Sequence, residues 1–177
     1  MSQSPTENVY LPKVAVLDRV VEEIADVRTF YWHFEDPAEQ AAFRKFLPGQ
    51  FAQVSVFGTG EFPASLPPSP TEEELFFTVR RVGTVTAALH ALRPGDRFGV
   101  RGPYGNGFPM KQYFGQNLLF VAGGIGLIPL RSCLNYALDN RHRYGKIQLF
   151  YGARGLKDLM YLGALREWDM SRGFECY

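Results

Sequence analysis

With 177 residues, 46% of them hydrophobic and 21% charged, the chain has a globular composition and enough length for one ordinary domain or two small ones. Nineteen Lys and Arg against 18 Asp and Glu leave a net charge of +1, which gives no electrostatic reason to expect nucleic acid or an anionic membrane surface as partner. The longest apolar runs, such as residues 118–122, cannot span a bilayer, and the polar start at residues 1–8 lacks the basic and apolar regions of a signal peptide, so no membrane insertion and a cytoplasmic location are expected.

From about Val9 to Arg101 the chain reads as strands and turns. Residues 13–24 are rich in β-branched side chains, and Ala25-Asp26 supplies a turn. Phe30, Trp32 and Phe34 alternate with Tyr31 and His33, the period of two of a strand with one buried face. Further strands are expected over residues 50–57, 75–82 and 97–101, with residues 66–70 (Leu-Pro-Pro-Ser-Pro) as a loop. Short strands separated by Gly and Pro predict a closed or sandwiched β domain. After Gly115 the pattern changes. Residues 117–122 form an apolar strand, and Leu130, Cys133, Leu134, Ala137 and Leu138 recur at helical spacing. A strand over 147–151, a helix over 158–168 and a third strand starting at 174 complete a strand–helix–strand–helix–strand series, hence a parallel sheet. The expected organisation is a β-barrel over residues 9–112 followed by a partial α/β domain over residues 113–177.

The strongest motif is Gly123-Gly124-Ile125-Gly126, between the apolar strand and the helix, with Pro129 in the first helical turn. Glycines there permit a tight turn and close backbone approach, and the free N–H groups of a helix start favour a pyrophosphate; a plain strand–helix turn is the competing reading. In Gly102-Pro103-Tyr104-Gly105-Asn106-Gly107-Phe108, glycine and proline fix an irregular loop that serves either as a linker or as a wall for a planar ligand. Arg80-Arg81-Val82-Gly83-Thr84-Val85-Thr86 leads into a short helix capped by Thr84 or Thr86. It suits phosphate, with Arg80 or Arg81 adding charge-assisted bonds or simply lying on a solvated face. Ser65 is either a donor to a ring nitrogen or a loop residue. His33 and His90 lie in apolar contexts that suggest packing, and His142 suggests the surface. Cys133 and Cys176 form no Cys-x-x-Cys pair, two thiols do not complete a four-cysteine cluster, and no metal-ligand spacing occurs.

Taken in order, Pro63-Ala64-Ser65-Leu66, Gly83-x-x-Thr86, Gly102-Pro103-Tyr104-Gly105, Gly123-Gly124-Ile125-Gly126 and Tyr151-Gly152-Ala153-Arg154 resemble the ferredoxin-NADP reductase-like flavoprotein superfamily. Within it, residues 55–61 and 102–109 look most like the gamma subunits of cytoplasmic nickel–iron hydrogenases and sulfhydrogenases. Their relatives include the electron-transfer subunits of dihydroorotate dehydrogenase and of anaerobic sulfite reductase. The resemblance implies FAD on the barrel, with its pyrophosphate near Gly83, Thr84, Val85 and Thr86 and with Ser65 by the reactive flavin nitrogen. It implies NAD(P)H on the Gly123 turn, helped by Tyr151, Gly152, Arg154 and Asp158. Hydride then passes from nicotinamide to flavin, and electrons leave to an iron–sulfur centre of a partner subunit.

Two departures from the family pattern stand out. Phe62 occupies the place of the usual flavin-motif arginine and Ala64 that of the tyrosine. Relatives also continue past the third nucleotide-domain strand to a Cys-Gly motif and a cysteine cluster, whereas this sequence stops at Cys176-Tyr177, so a chain truncated at its C-terminus and without its own iron–sulfur cluster is expected. An electron-transfer flavoprotein subunit is the leading expectation; a docking or assembly module that has lost its cofactors is the alternative.

Overall fold

The computed structural model describes residue 8, residues 10–171 and residues 173–177; the polar start at residues 1–7, and Val9 at the expected start of the barrel, lie outside the described residues. Six strands come first: β1 (Lys13–Ile24), β2 (Val27–Phe34), β3 (Phe51–Val56), β4 (Gly60–Ser65), β5 (Leu75–Arg80) and β6 (Arg97–Tyr104). They form one antiparallel sheet in the order β4-β3-β6-β1-β2-β5. The sheet curls into a barrel around a core that includes Leu17, Phe30, Trp32, Phe77, Phe98 and Val100. Trp32 stacks on Phe77 at 4.9 Å, and the alternation of residues 30–34 falls as expected, with Phe30, Trp32 and Phe34 inside. The strands at the two ends of the order, β4 and β5, lie side by side but share no hydrogen-bonded ladder among the described residues. The barrel therefore has a seam.

Three features of this half depart from or add to the sequence reading. Residues 60–65, where no strand was expected, form an edge strand: Pro63 sits opposite Gln53, and its missing N–H is tolerated because no strand pairs on its other side. A short helix, α1 (Pro37–Phe43), follows β2, capped by Asp36, whose carboxylate accepts from Ala38 N at 2.8 Å, with Pro37 in the first turn. His33 is also not packed. It lies half exposed on the outer face, 2.7 Å from Asp18.

The second half holds β7 (Leu118–Gly123), α3 (Leu127–Asp139), β8 (Ile147–Gly152), α4 (Leu162–Asp169) and β9 (Phe174–Cys176), with the parallel strands in the order β7-β8-β9. One sheet face packs through Ala122, Ile147, Leu149 and Phe174 onto a core shared with Leu127, Leu134 and Trp168. The other face leaves Leu119, Val121 and Phe150 exposed. The last helix starts later than residue 158: a 3-10 turn covers Leu156–Asp158, and Tyr161 precedes α4 in a left-handed conformation, φ 56°, that a continuous helix does not allow. Cys133 is fully buried, and burial pushes its thiol up to about 12, so it is a packing residue without thiolate character. No described helix is long and apolar enough to cross a membrane.

The two halves meet along β5, which is buried on both faces. Leu75, Phe77 and Val79 point into the barrel, while Phe76 and Thr78 are covered from the other side. Arg131 of α3 is central to this contact. It holds Glu72 through two bonds of 2.8 and 2.9 Å, donates to Pro67 O at 3.0 Å, and lies over the Phe76 ring. Burial alone would raise the Glu72 carboxyl, but the bonds and charge of Arg131 outweigh it and hold the group below the usual carboxylate range. Ser132 Oγ donates to Pro68 O at 2.7 Å, so the carbonyls of Pro67 and Pro68, in the largely buried proline-rich loop, both have donors on α3.

Candidate functional site

The seam of the barrel opens as a cleft of about 440 Å³ lined by residues 62–65 of β4 and 78–80 of β5, with Val82, Thr86, Ile125, Gly126, Ile128 and Pro129 also in its wall. Ser65 stands at the end of β4 as a polar group in an otherwise apolar wall that includes Phe62 and Pro63. Beyond Arg80 the chain turns at Gly83 into α2 (Thr84–Ala91). Thr86, and not Thr84, organises this turn: its Oγ1 accepts from Val82 N at 2.9 Å and Gly83 N at 3.0 Å. The first-turn N–H groups of Thr84, Val85 and Thr86 have no helical carbonyl to bond and are the donors this turn offers an anion.

A second cleft of about 650 Å³ lies alongside, lined by Gly123, Gly124, Ile125, Gly152, Ala153, Arg154 and Asp158 from the parallel-sheet half, and by Asp26 and Arg80 from the barrel. It lies at the carboxyl ends of β7 and β8, where open α/β sheets place their ligands. Arg80 and Ile125 line both clefts, so the two spaces share a wall. Arg80 is held there by Asp26, with Nε 3.1 Å from Oδ2, and Arg81 N donates to Asp26 O at 2.8 Å. Arg154 is almost fully exposed, 3.5 Å from Asp158.

The glycines around these clefts are not explained by the protein's own packing. Gly123 (φ −122°, ψ 123°) and Gly126 (φ −62°, ψ −15°) have backbone angles open to any residue. A Cβ added at Gly123, Gly126, Gly152 or Gly83 would meet nothing within 4 Å. Only Gly124, at φ +50°, has a conformational reason to be glycine. Bare backbone at four positions around open space is what close approach of an extended ligand requires. The open glycine backbone and the free N–H groups at the start of α2 suit a phosphate-bearing ligand.

Not every expected residue reaches these clefts. Leu66 is fully buried in the barrel core, whereas Ala64, though counted in that core, also lines the seam cleft. Gly102 and Tyr104 line a separate hollow with Lys13, Glu39 and Arg101, on another part of the barrel, because β6 pairs with β1 and β3 and lies well away from the seam. Gly105 lines neither cleft; a Cβ added there would lie 3.4 Å from the Phe51 ring. Tyr151 points to the opposite side of β8 from the glycine cleft: its hydroxyl accepts from Met160 N at 3.3 Å, and burial raises its phenol. Three cleft residues lay outside the motifs: Asp26, which reads only as a turn residue, and Thr78 and Val79, inside an apolar strand. The Asp-after-strand turn signal could have flagged Asp26; nothing local marks the other two.

Comparison with known proteins agrees with this geometry. The family model of the oxidoreductase NAD-binding domain matches residues 120–176. Residues 120–176 are thus similar to an oxidoreductase NAD-binding domain, and the fold of the chain is ferredoxin-NADP reductase-like. The chain is 45% identical over 159 residues to sulfhydrogenase 1 subunit gamma of Pyrococcus furiosus, a match covering 89% of this chain and 54% of that one. It is 35% identical over 162 residues to a probable dihydroorotate dehydrogenase B (NAD(+)) electron transfer subunit of Methanothermobacter thermautotrophicus, covering 90% of this chain and 55% of the relative. The chain thus spans about half the length of these curated relatives. Among solved structures, ferredoxin-NADP+ reductase from Plasmodium falciparum superposes with TM-score 0.77 at 17% identity, covering 94% of this chain and 69% of that one. The flavohem-like FAD/NAD binding domain of nitric oxide dioxygenase from Vibrio cholerae gives 0.77 at 18%, covering 94% and 73%. At such identities these two establish the fold.

Proposed function

We propose that the chain is an electron-transfer flavoprotein subunit that holds FAD in the barrel seam and NAD(P)H in the glycine cleft, and that passes electrons on to an iron–sulfur partner subunit of a hydrogenase-like complex. One observation carries this reading: the two clefts share the wall made by Arg80 and Ile125, so ligands lying in each would meet there. The relatives' names, a subunit gamma and an electron transfer subunit, support a place in a multisubunit redox complex. When bound, nicotinamide and flavin would supply hydride transfer and the conversion of a two-electron donor into single electrons.

The residues of this chain bind and orient. Ser65 would offer its hydroxyl to the edge of the flavin ring, and Phe62 and Pro63 would exclude water from that ring's side of the seam. The first-turn N–H groups of α2, with Arg80, would hold the flavin pyrophosphate. Gly123, Gly126 and Gly152 would admit the nucleotide pyrophosphate against bare backbone, and Arg154 would reach the ribose end. Phe62, in the arginine place of the family motif, leaves Arg80 as the cation nearest the seam. We take the barrel over residues 9–112 and the nucleotide half over 113–177 as the working division.

The test is a visible absorption spectrum of the purified chain mixed with FAD, followed by anaerobic bleaching with NADH and NADPH in turn. The reading expects a bound-flavin band and bleaching by at least one nucleotide. Absence of flavin uptake would overturn it in favour of a docking module without cofactors.

A further inference from the structure

Between the two clefts runs a buried chain of hydroxyl groups that the binding residues do not use. Glu23 of β1 begins it. Thr29 Oγ1 of β2 donates to Glu23 Oε1 at 2.7 Å, the Thr78 and Thr29 hydroxyls lie 2.8 Å apart, and the Tyr161 hydroxyl donates to Thr78 Oγ1 at 2.7 Å. Each hydroxyl has one proton. The Thr29 proton goes to the carboxylate, so Thr29 accepts from Thr78, and Thr78 can only accept from Tyr161. The direction of every bond follows from the carboxylate at the end. The other Glu23 oxygen accepts the backbone N–H of Tyr161 at 3.0 Å, so one barrel carboxylate and one barrel threonine grip Tyr161 by both its main chain and its side chain.

Tyr161 is placed to transmit this grip. Three residues before it stands Asp158, which lines the glycine cleft, and the segment between carries no regular helix. Thr78, which it bonds, lines the barrel seam. Its left-handed backbone, φ 56°, is a conformation a tyrosine adopts only when its surroundings impose it. Thr29, Thr78 and Tyr161 are all under a tenth exposed, so water does not compete for these bonds, and burial drives the Tyr161 phenol upward so that it stays a donor.

We infer that Tyr161 is a positioning residue that fixes the rim of the nucleotide cleft, residues 152–161, against the wall of the barrel seam, and so sets how closely a nucleotide and a flavin approach. The second clause rests on the function proposed above; the first does not. A tyrosine that only stabilised the interface would, when truncated, loosen the whole molecule evenly. A positioning tyrosine loosens the rim alone.

Tyr161→Phe removes the hydroxyl and leaves the ring in place. Amide hydrogen exchange of the ligand-free chain should then accelerate about tenfold or more over residues 152–161, with β1, β2 and β6 unchanged. With FAD bound, uptake should match wild type, and the anaerobic bleaching rate at saturating nucleotide should fall about tenfold while the apparent nucleotide affinity changes little. Unchanged exchange in the rim, or acceleration spread evenly over the barrel, would overturn the inference, as would an unchanged bleaching rate. If wild type takes up FAD but neither nucleotide bleaches it, the proposed hydride transfer fails, and the exchange measurement alone decides the role of Tyr161. Should Tyr161→Phe not fold, Thr78→Val removes the acceptor from the barrel side and should free the same rim. Thr78→Ser, which keeps the hydroxyl, should restore wild-type exchange, and its failure to do so counts against the inference.

Discussion

The end of β6 with the loop that follows it and the end of β7 with its turn are both rich in glycine, and those glycines have opposite surroundings. At Gly102, φ +135°, an added Cβ would come within 3.3 Å of Ala52 Cα and Phe51 O; at Gly107, φ +66°, it would come within 2.8 Å of Leu47 Cβ and 3.0 Å of Pro48 O. These glycines exist because the barrel's own backbone passes too close for a side chain. At Gly123 and Gly126 the backbone angles are ordinary and the space beside them is empty of protein. Glycine composition alone does not distinguish the two; the direction in which the absent Cβ would point does.

Substitution can separate them. Gly107→Ala should cost about 2–3 kcal/mol of stability, read as a shift in urea midpoint, because strain at positive φ adds to the collision. The contact between the two halves should behave like the barrel loop: Glu72→Gln, which leaves Arg131 short of its carboxylate, should cost about 2 kcal/mol at neutral pH. That loss has a predictable pH signature. The folded carboxyl of Glu72 lies below its ordinary value of 4.5, so its contribution is complete above that pH and is lost as pH falls through the depressed folded value. Unfolding midpoints measured in a series below 4.5 should therefore decline more steeply for wild type than for the Gln variant.

On the ligand side the expectation reverses. Gly123→Ala should change stability by no more than about 0.5 kcal/mol, yet weaken nucleotide binding about tenfold or more in a titration, since the methyl would occupy the approach path. A stability loss equal to that of Gly107→Ala would erase the distinction between the two loops. The smallest effect belongs to Arg154→Gln. Its pairing with Asp158 is solvent-exposed and should contribute under about 0.5 kcal/mol, so stability should be flat. Only the ratio of NADPH to NADH affinity should respond, if Arg154 meets a 2′-phosphate.

Much of the architecture was legible because it rests on period and punctuation. The alternation from Phe30 to Phe34, the strand–glycine–helix order at residues 118–139 and the threonine-capped turn at 83–86 all appear where local patterns put them. The Gly123 turn and Arg80, which line the clefts, were likewise readable as candidates by type and setting. What escaped is what distance in sequence hides. The seam exists because β4 and β5 end the strand order, and no local pattern announces that order; hence the adjacency of Ser65 and Thr78 was invisible. For the same reason Gly102 and Tyr104, persuasive as a motif, fell on another part of the barrel. A helix from residue 158 is what the spacing of Tyr161, Leu165 and Trp168 suggests, while Tyr161, held from the barrel by Glu23 and Thr78, is left-handed and α4 starts only after it.

The strand β5 has a consequence for any attempt to divide the molecule. Its residues 75–79 are covered on both sides, by the barrel interior and by the second half. A barrel expressed alone would turn Phe76, together with Val27 from the neighbouring strand, out into water, next to the very seam where a flavin would enter. Such a fragment would present a sticky apolar stripe in place of an interface. Modularity here is a matter of chain order and not of independent folding: the two halves are sewn along one strand that neither can give up.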